Sequence, residues 1–177
     1  MSRGKGRILT DADAGDPVAL ARALIATPSV NPELETSGAG EAAVAELIAQ
    51  WLRVWGLSVE TSEVAPGRWN VVGRLEGKGT GPTLLLNGHL DTVGVAGMSV
   101  EPFGGELKDE RLWGRGSCDM KGGVAALLTA TARLAAGGPR PNLIVALTAD
   151  EEHASVGMAS YVPPLSSHCT SPCPGPV

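Results

Sequence analysis

The chain has 177 residues, 43% hydrophobic and 19% charged, with a formal net charge of −5: one domain or most of one, with enough apolar side chains for a packed core. An acidic chain without a basic cluster argues against nucleic-acid partners, and no apolar run approaches the roughly 18 residues of a membrane span or follows the basic N-terminal residues as a secretory signal would. Three cysteines are too few, and odd in number, for a disulfide framework, so the expected location is the reducing cytoplasm, and six aromatic residues leave the core to Leu, Val, Ile and Ala.

Residues 1–15 read as a loose polar arm. Asp16-Pro17 is a helix start, with Asp as the cap and Pro in the first turn; Leu20, Ala23 and Leu24 share a face, and Thr27-Pro28 ends the element. Residues 31–40 read as a loop. Residues 41–55 form the clearest helix: Val44, Leu47, Ile48, Trp51, Leu52 and Trp55 recur with helical period, and Gly56 stops it. Two strands are predicted at 57–64 and 69–75. The short apolar run 83–87 is expected to be a strand buried on both faces. A hairpin is predicted around 108–110, a helix over 120–136 ended by Gly137-Gly138, and a second buried strand over 142–148. Helices alternating with buried strands imply an α/β fold, a three-layer αβα sandwich around a mixed sheet. The last segment, 163–177, has five Pro, three Ser, two Cys and no charge, and is expected to be an unstructured tail. The folded part is then 16–162.

Three places put acids or a histidine at the ends of predicted strands or at a helix start. They are Asn87-Gly88-His89-Leu90-Asp91-Thr92-Val93, Gly114-Arg115-Gly116-Ser117-Cys118-Asp119-Met120-Lys121-Gly122-Gly123, and Leu147-Thr148-Ala149-Asp150-Glu151-Glu152. Ligands in open α/β sheets gather beyond the carboxyl ends of strands. His89 and Asp91, two apart, project to one side of an extended segment, where a carboxylate can fix the tautomer of a metal-binding imidazole. Glu151 and Glu152 diverge, so one can bind metal while the other moves protons. One imidazole with several carboxylates suits Zn2+, Mn2+ or Co2+. Each signal also has an ordinary reading: a histidine after a strand is usually a polar loop residue, and an acidic pair after a strand is usually a solvated helix start. Their coincidence carries the argument.

These three motifs, GHLDTV, GRGSCDMKGGVAALL and ALTADEE, together resemble the acetylornithine deacetylase / succinyl-diaminopimelate desuccinylase family of co-catalytic metallohydrolases, over about residues 16–162. The resemblance implies two divalent ions, Zn2+ first with Co2+ or Mn2+ as alternatives. It implies His89 on one ion, Asp119 bridging both, Glu152 on the other, Asp91 orienting His89, and Glu151 as general base. It also implies a cis Asp119–Met120 peptide. The reaction would release a carboxylate and an amine from an N-acyl amino acid or small peptide.

The chain departs from that family after Glu152. A further acidic ligand, a late histidine, and the second domain that forms the family's homodimer have no counterpart before Val177. As written, the chain is therefore expected to be poorly stable and nearly inactive, as a frameshift, a premature stop or a gene fragment would leave it. The alternatives are a non-catalytic remnant with partial metal binding, an assembly partner completed by another chain, and a related aminopeptidase or dipeptidase. Weaker signals are set aside. His168-Cys169 with Cys173 is half a zinc site, Cys118 lacks a base, and residues 73–78 fall short of a phosphate loop.

Overall fold

The structure, a computed structural model, describes residues 10–78, 81–138 and 140–161. Four strands form one mixed sheet in the order β1-β2-β6-β3: β1 (Ser58–Ala65), β2 (Arg68–Leu75), β3 (Thr83–His89) and β6 (Asn142–Thr148). β1 and β2 are an antiparallel hairpin, β2 runs antiparallel to β6, and β3 runs parallel to β6. β4 (Glu106–Lys108) and β5 (Arg111–Trp113) make the separate predicted hairpin.

Side-chain alternation divides the sheet into two faces. Val71, Leu75, Leu143, Val145 and Leu147 share one face and are buried with the apolar stripes of three helices: α1 (Pro17–Ala26), α2 (Ala42–Val54) and α3 (Lys121–Ala136). Asp16 caps α1, its side chain accepting from the Ala19 N–H at 2.8 Å, as the Asp-Pro pair predicts. A fourth helix, α4 (Val156–Tyr161), has no periodic signature in the sequence. It packs against the end of β6 because residue 157 is glycine: a Cβ there would collide with the Ala149 backbone and with Asn70. Asn70 holds it, donating to the Gly157 carbonyl at 2.9 Å.

Two expectations change. Part of the stretch read as a polar arm is folded: Thr10–Gly15 form a hydrogen-bonded turn in which Ala12 and Asp13 are buried, and the Trp55 indole N–H donates to the Asp13 carbonyl at 2.7 Å. Residues 1–9 and the segment read as a tail lie outside the described residues. The second change concerns β3, which is not buried on both faces. Among the described residues it is an edge strand, bonded only to β6, with Leu84 43% and Leu85 50% exposed, one toward each face. An apolar run reports a preference for burial; a neighbour on each side is needed to satisfy it. β6, with neighbours on both sides, is the strand whose Leu143, Val145, Ala146 and Leu147 are sequestered.

Candidate metal centre

β3 and β6 run parallel, so their carboxyl ends lie side by side and deliver the first and third motifs to one place. The second motif arrives at the start of α3. There the His89 N–H donates to the Met120 sulfur at 3.2 Å, and the Asp119–Met120 peptide is cis. Gly116 lets this segment fold back with φ +81°, and a Cβ on it would crowd Lys121 and Thr92. Lys121 is buried; its ammonium donates to the carbonyls of Leu24 (2.8 Å) and Thr27 (2.7 Å), tying the end of α1 to the start of α3. Burial pushes its pKa down to about 8.

His89, Asp119 and Glu152 come together here, each offering one ligand atom, all within 4.8 Å of one another. The imidazole is oriented. Its Nδ1 faces the Asp91 carbonyl at 3.0 Å and the Asp91 carboxylate at 3.5 Å, which makes Nδ1 the protonated donor. Nε2 then points at the Asp119 carboxylate, 3.1 Å away, with Glu151 at 3.7 Å. Burial works against a charged imidazole, but Asp91, Asp119 and Glu151 outweigh it and hold His89 up at about 9. Burial and the surrounding carboxylates push Glu152 up in turn. One imidazole nitrogen and two carboxylates around a shared point are a donor set that fits Zn2+, Mn2+ or Co2+, and a cation there would take the place of the His89 proton. A cleft of about 380 Å3 opens beside it, lined by Asn87, Gly88, His89, Met120, Glu151 and Met158 among others.

Beneath the centre, Asp91 joins four residues to which the sequence analysis gave no role: Asn31, Glu41, Arg68 and Asp150. Arg68, on β2, bonds Glu41 through Nε (2.9 and 3.1 Å) and Nη2, and Asp150 through Nη1 (2.9 Å). Asn31 donates through Nδ2 to Asp91 (2.8 Å) and Asp150 (3.0 Å), and its Oδ1 accepts from Arg68 Nη1 at 3.1 Å. All five side chains are buried. Burial alone would raise the Asp91 carboxyl, but bonds from His89, Asn31 and the N–H groups of Glu151 (3.0 Å) and Glu152 (3.1 Å) hold it below the usual carboxylate range. Asp150 adopts φ +66° and accepts from the N–H groups of Ala154 and Val156, a local bonding pattern that Asp tolerates in the left-handed region. The members come from the 31–40 loop, the start of α2, β2 and the ends of β3 and β6, so no local spacing announces them. The one available sequence signal was a charged Arg68 opening a strand whose following residues are apolar.

The family model for peptidase family M20/M25/M40 matches residues 85–169. The chain is 38% identical over 149 residues to a succinyl-diaminopimelate desuccinylase of Rhodospirillum centenum, covering 81% of this chain and 37% of that protein. It is 34% identical over 142 residues to an acetylornithine deacetylase of Vibrio vulnificus, covering 79% and 37%. In structure it resembles human carnosine dipeptidase 1, with a TM-score of 0.67 and 20% identity over 85% of this chain and 35% of that one, which shows a shared fold. The chain thus spans a little over a third of the length of the curated relatives it matches. The convergence of all three motifs at one end of the sheet agrees with this likeness: residues 85–169 match the model of peptidase family M20/M25/M40, and the chain is similar to desuccinylases and deacetylases over most of its own length.

Proposed function

We propose that this chain carries the metal-binding part of a hydrolase that cleaves the amide bond of N-acyl amino acids or small peptides. His89, Asp119 and Glu152 hold divalent metal, Zn2+ first, with Asp119 shared where two ions bind. The observation that carries this is the meeting of those three side chains, from three separated motifs, within 4.8 Å. A bound ion supplies Lewis acidity toward the scissile carbonyl and makes water a better nucleophile at neutral pH. Asp91 keeps the proton on His89 Nδ1, so that Nε2 stays a donor to metal. Glu151, its side chain 57% exposed and 3.7 Å from His89 Nε2, takes the proton of the attacking water and passes it to the leaving amine. The products are a carboxylate and a free amine. The catalytic part is taken as 16–162, with the turn at Thr10–Gly15 packed against it, and the site of action is the cytoplasm. Among the described residues, no helix is long and apolar enough to cross a membrane.

A second reading, metal binding without turnover, is favoured by one observation. Among the described residues only three side chains form a ligand group, which is few for two ions. Release of amine from N-acetyl and N-succinyl amino acids and dipeptides, with Zn2+ or Co2+ added, separates the two. Turnover that Glu151→Gln abolishes supports the hydrolase; metal binding with no turnover by the chain supports the second reading.

A further inference from the structure

Asn31 spends its whole amide on the polar group beneath the centre. Both Nδ2 hydrogens go to carboxylates, Asp91 at 2.8 Å and Asp150 at 3.0 Å. Oδ1 accepts from Arg68 at 3.1 Å and from the Glu33 N–H at 3.0 Å. These partners fix which end of the amide is which, because the reverse orientation would set NH2 against a guanidinium and oxygen against two anions. The backbone is fixed too. Asn31 N–H donates to the Thr92 carbonyl (2.8 Å), Thr92 N–H to the Ser29 carbonyl (3.0 Å) and Ser29 Oγ to the Leu90 carbonyl (2.7 Å), so the loop is laced to the segment that holds Asp91. Arg68 is clamped from the far side by Glu41, which sits at the start of α2 and turns its carboxylate inward rather than capping the helix.

From this geometry we infer that Asn31, backed by the Glu41–Arg68 pair, is a positioning residue for metal binding. It sets the Asp91 carboxylate so that one side orients His89 while both of its oxygens receive the Glu151 and Glu152 N–H groups, aiming the two glutamates. This deepens the functional reading above and rests on it. Neither Asn31 nor Arg68 touches the metal ligands' donor atoms; both act through Asp91 and Asp150. Three carboxylates, Glu41, Asp91 and Asp150, surround one guanidinium, and the amide of Asn31 separates the last two. Without that amide, Asp91 and Asp150 lose the donor they share, and the Asp91 carboxylate keeps His89, the Glu151 and Glu152 N–H groups and the more distant Arg68, with nothing from the 31–40 loop to fix its rotation. Residues that orient a metal-ligating histidine commonly contribute about 10- to 100-fold in metal affinity.

The test uses the full chain, Zn2+ as the probe, and three proteins: the parent, Asn31→Ala and Leu52→Ala. Leu52 is a fully buried core residue on α2 outside the polar group, so its variant reports destabilisation alone. Working where all three are folded by circular dichroism, Asn31→Ala is expected to weaken Zn2+ binding about 10- to 100-fold, and Leu52→Ala less than about threefold. In the metal-free proteins, the Glu151 and Glu152 amide hydrogens should exchange at least about tenfold faster in Asn31→Ala, and at the parent's rate relative to global unfolding in Leu52→Ala. Parent-like Zn2+ affinity and parent-like exchange in Asn31→Ala would overturn the inference. So would equal loss of affinity in both variants. A parent chain that fails to bind Zn2+ would sink the functional reading instead, and the exchange arm would still decide the positioning role.

Discussion

The two sides of the candidate metal centre are built in opposite ways. Below it, Asn31, Glu41, Arg68, Asp91 and Asp150 are buried and use their hydrogen-bonding capacity on one another. Above it, the Asp119 side chain is 74% exposed, Glu151 57%, and the adjoining edge strand shows Leu84 and Leu85 to solvent. The floor is held by the fold; the rim is open to solvent. The contrast teaches that charged residues of one sheet end divide by depth: deep ones fix geometry at a cost in desolvation, shallow ones remain available to a cation and a substrate.

Substitutions in the floor should cost stability, and those at the rim should cost binding. The largest effect is expected for Arg68→Met. It strands the buried carboxylates of Glu41 and Asp150 without their guanidinium partner and leaves Asp91 to His89, which should cost about 3–5 kcal/mol in urea unfolding. A loss under about 1 kcal/mol would mean that water already enters the floor.

Next comes pH. His89 is raised to about 9 in the metal-free folded chain, above its ordinary 6.5. Its stabilising contribution is therefore complete below about pH 6.5 and is lost as pH rises toward 9, by about 3 kcal/mol across that window. The slope should be missing from His89→Asn, and comparing the two proteins removes the opposing rise with pH expected from Lys121, whose pKa is lowered. Asp119→Asn should leave unfolding within about 0.5 kcal/mol of the parent, because the side chain is exposed, while abolishing metal binding. The smallest change in stability is expected for Leu84→Lys with Leu85→Lys. The exposed apolar edge is expected to let copies of the parent associate, and charges there should reduce that association in sedimentation without altering the unfolding midpoint measurably. Unchanged self-association would mean that the edge is not what the copies share.

The helices α1, α2 and α3 were legible because each carries an apolar stripe with a clear start or stop, such as Asp16-Pro17 or Gly137. β2 and β6 were legible as apolar runs bounded by turns. α4 was not, since six residues hold too few turns for a period and its docking depends on Gly157. β3 was placed correctly and its burial misjudged, because burial belongs to the neighbours a strand has and not to its own residues. The site divides in the same way. His89, Asp91, Asp119, Glu151 and Glu152 stand in dense local motifs, and the structure brings them to one end of the sheet. Asn31, Glu41 and Arg68 stand alone in sequence and meet only through tertiary packing, as the separations of 37 positions from Asn31 to Arg68 and 60 from Asn31 to Asp91 illustrate.

The most direct test is equilibrium dialysis of the purified chain and of Asp119→Asn against Zn2+, followed by metal analysis and a check of folding by circular dichroism. The account predicts saturable Zn2+ binding by the parent, and none by an equally folded Asp119→Asn. Binding that survives the substitution, or a folded parent that takes up no Zn2+, would contradict it.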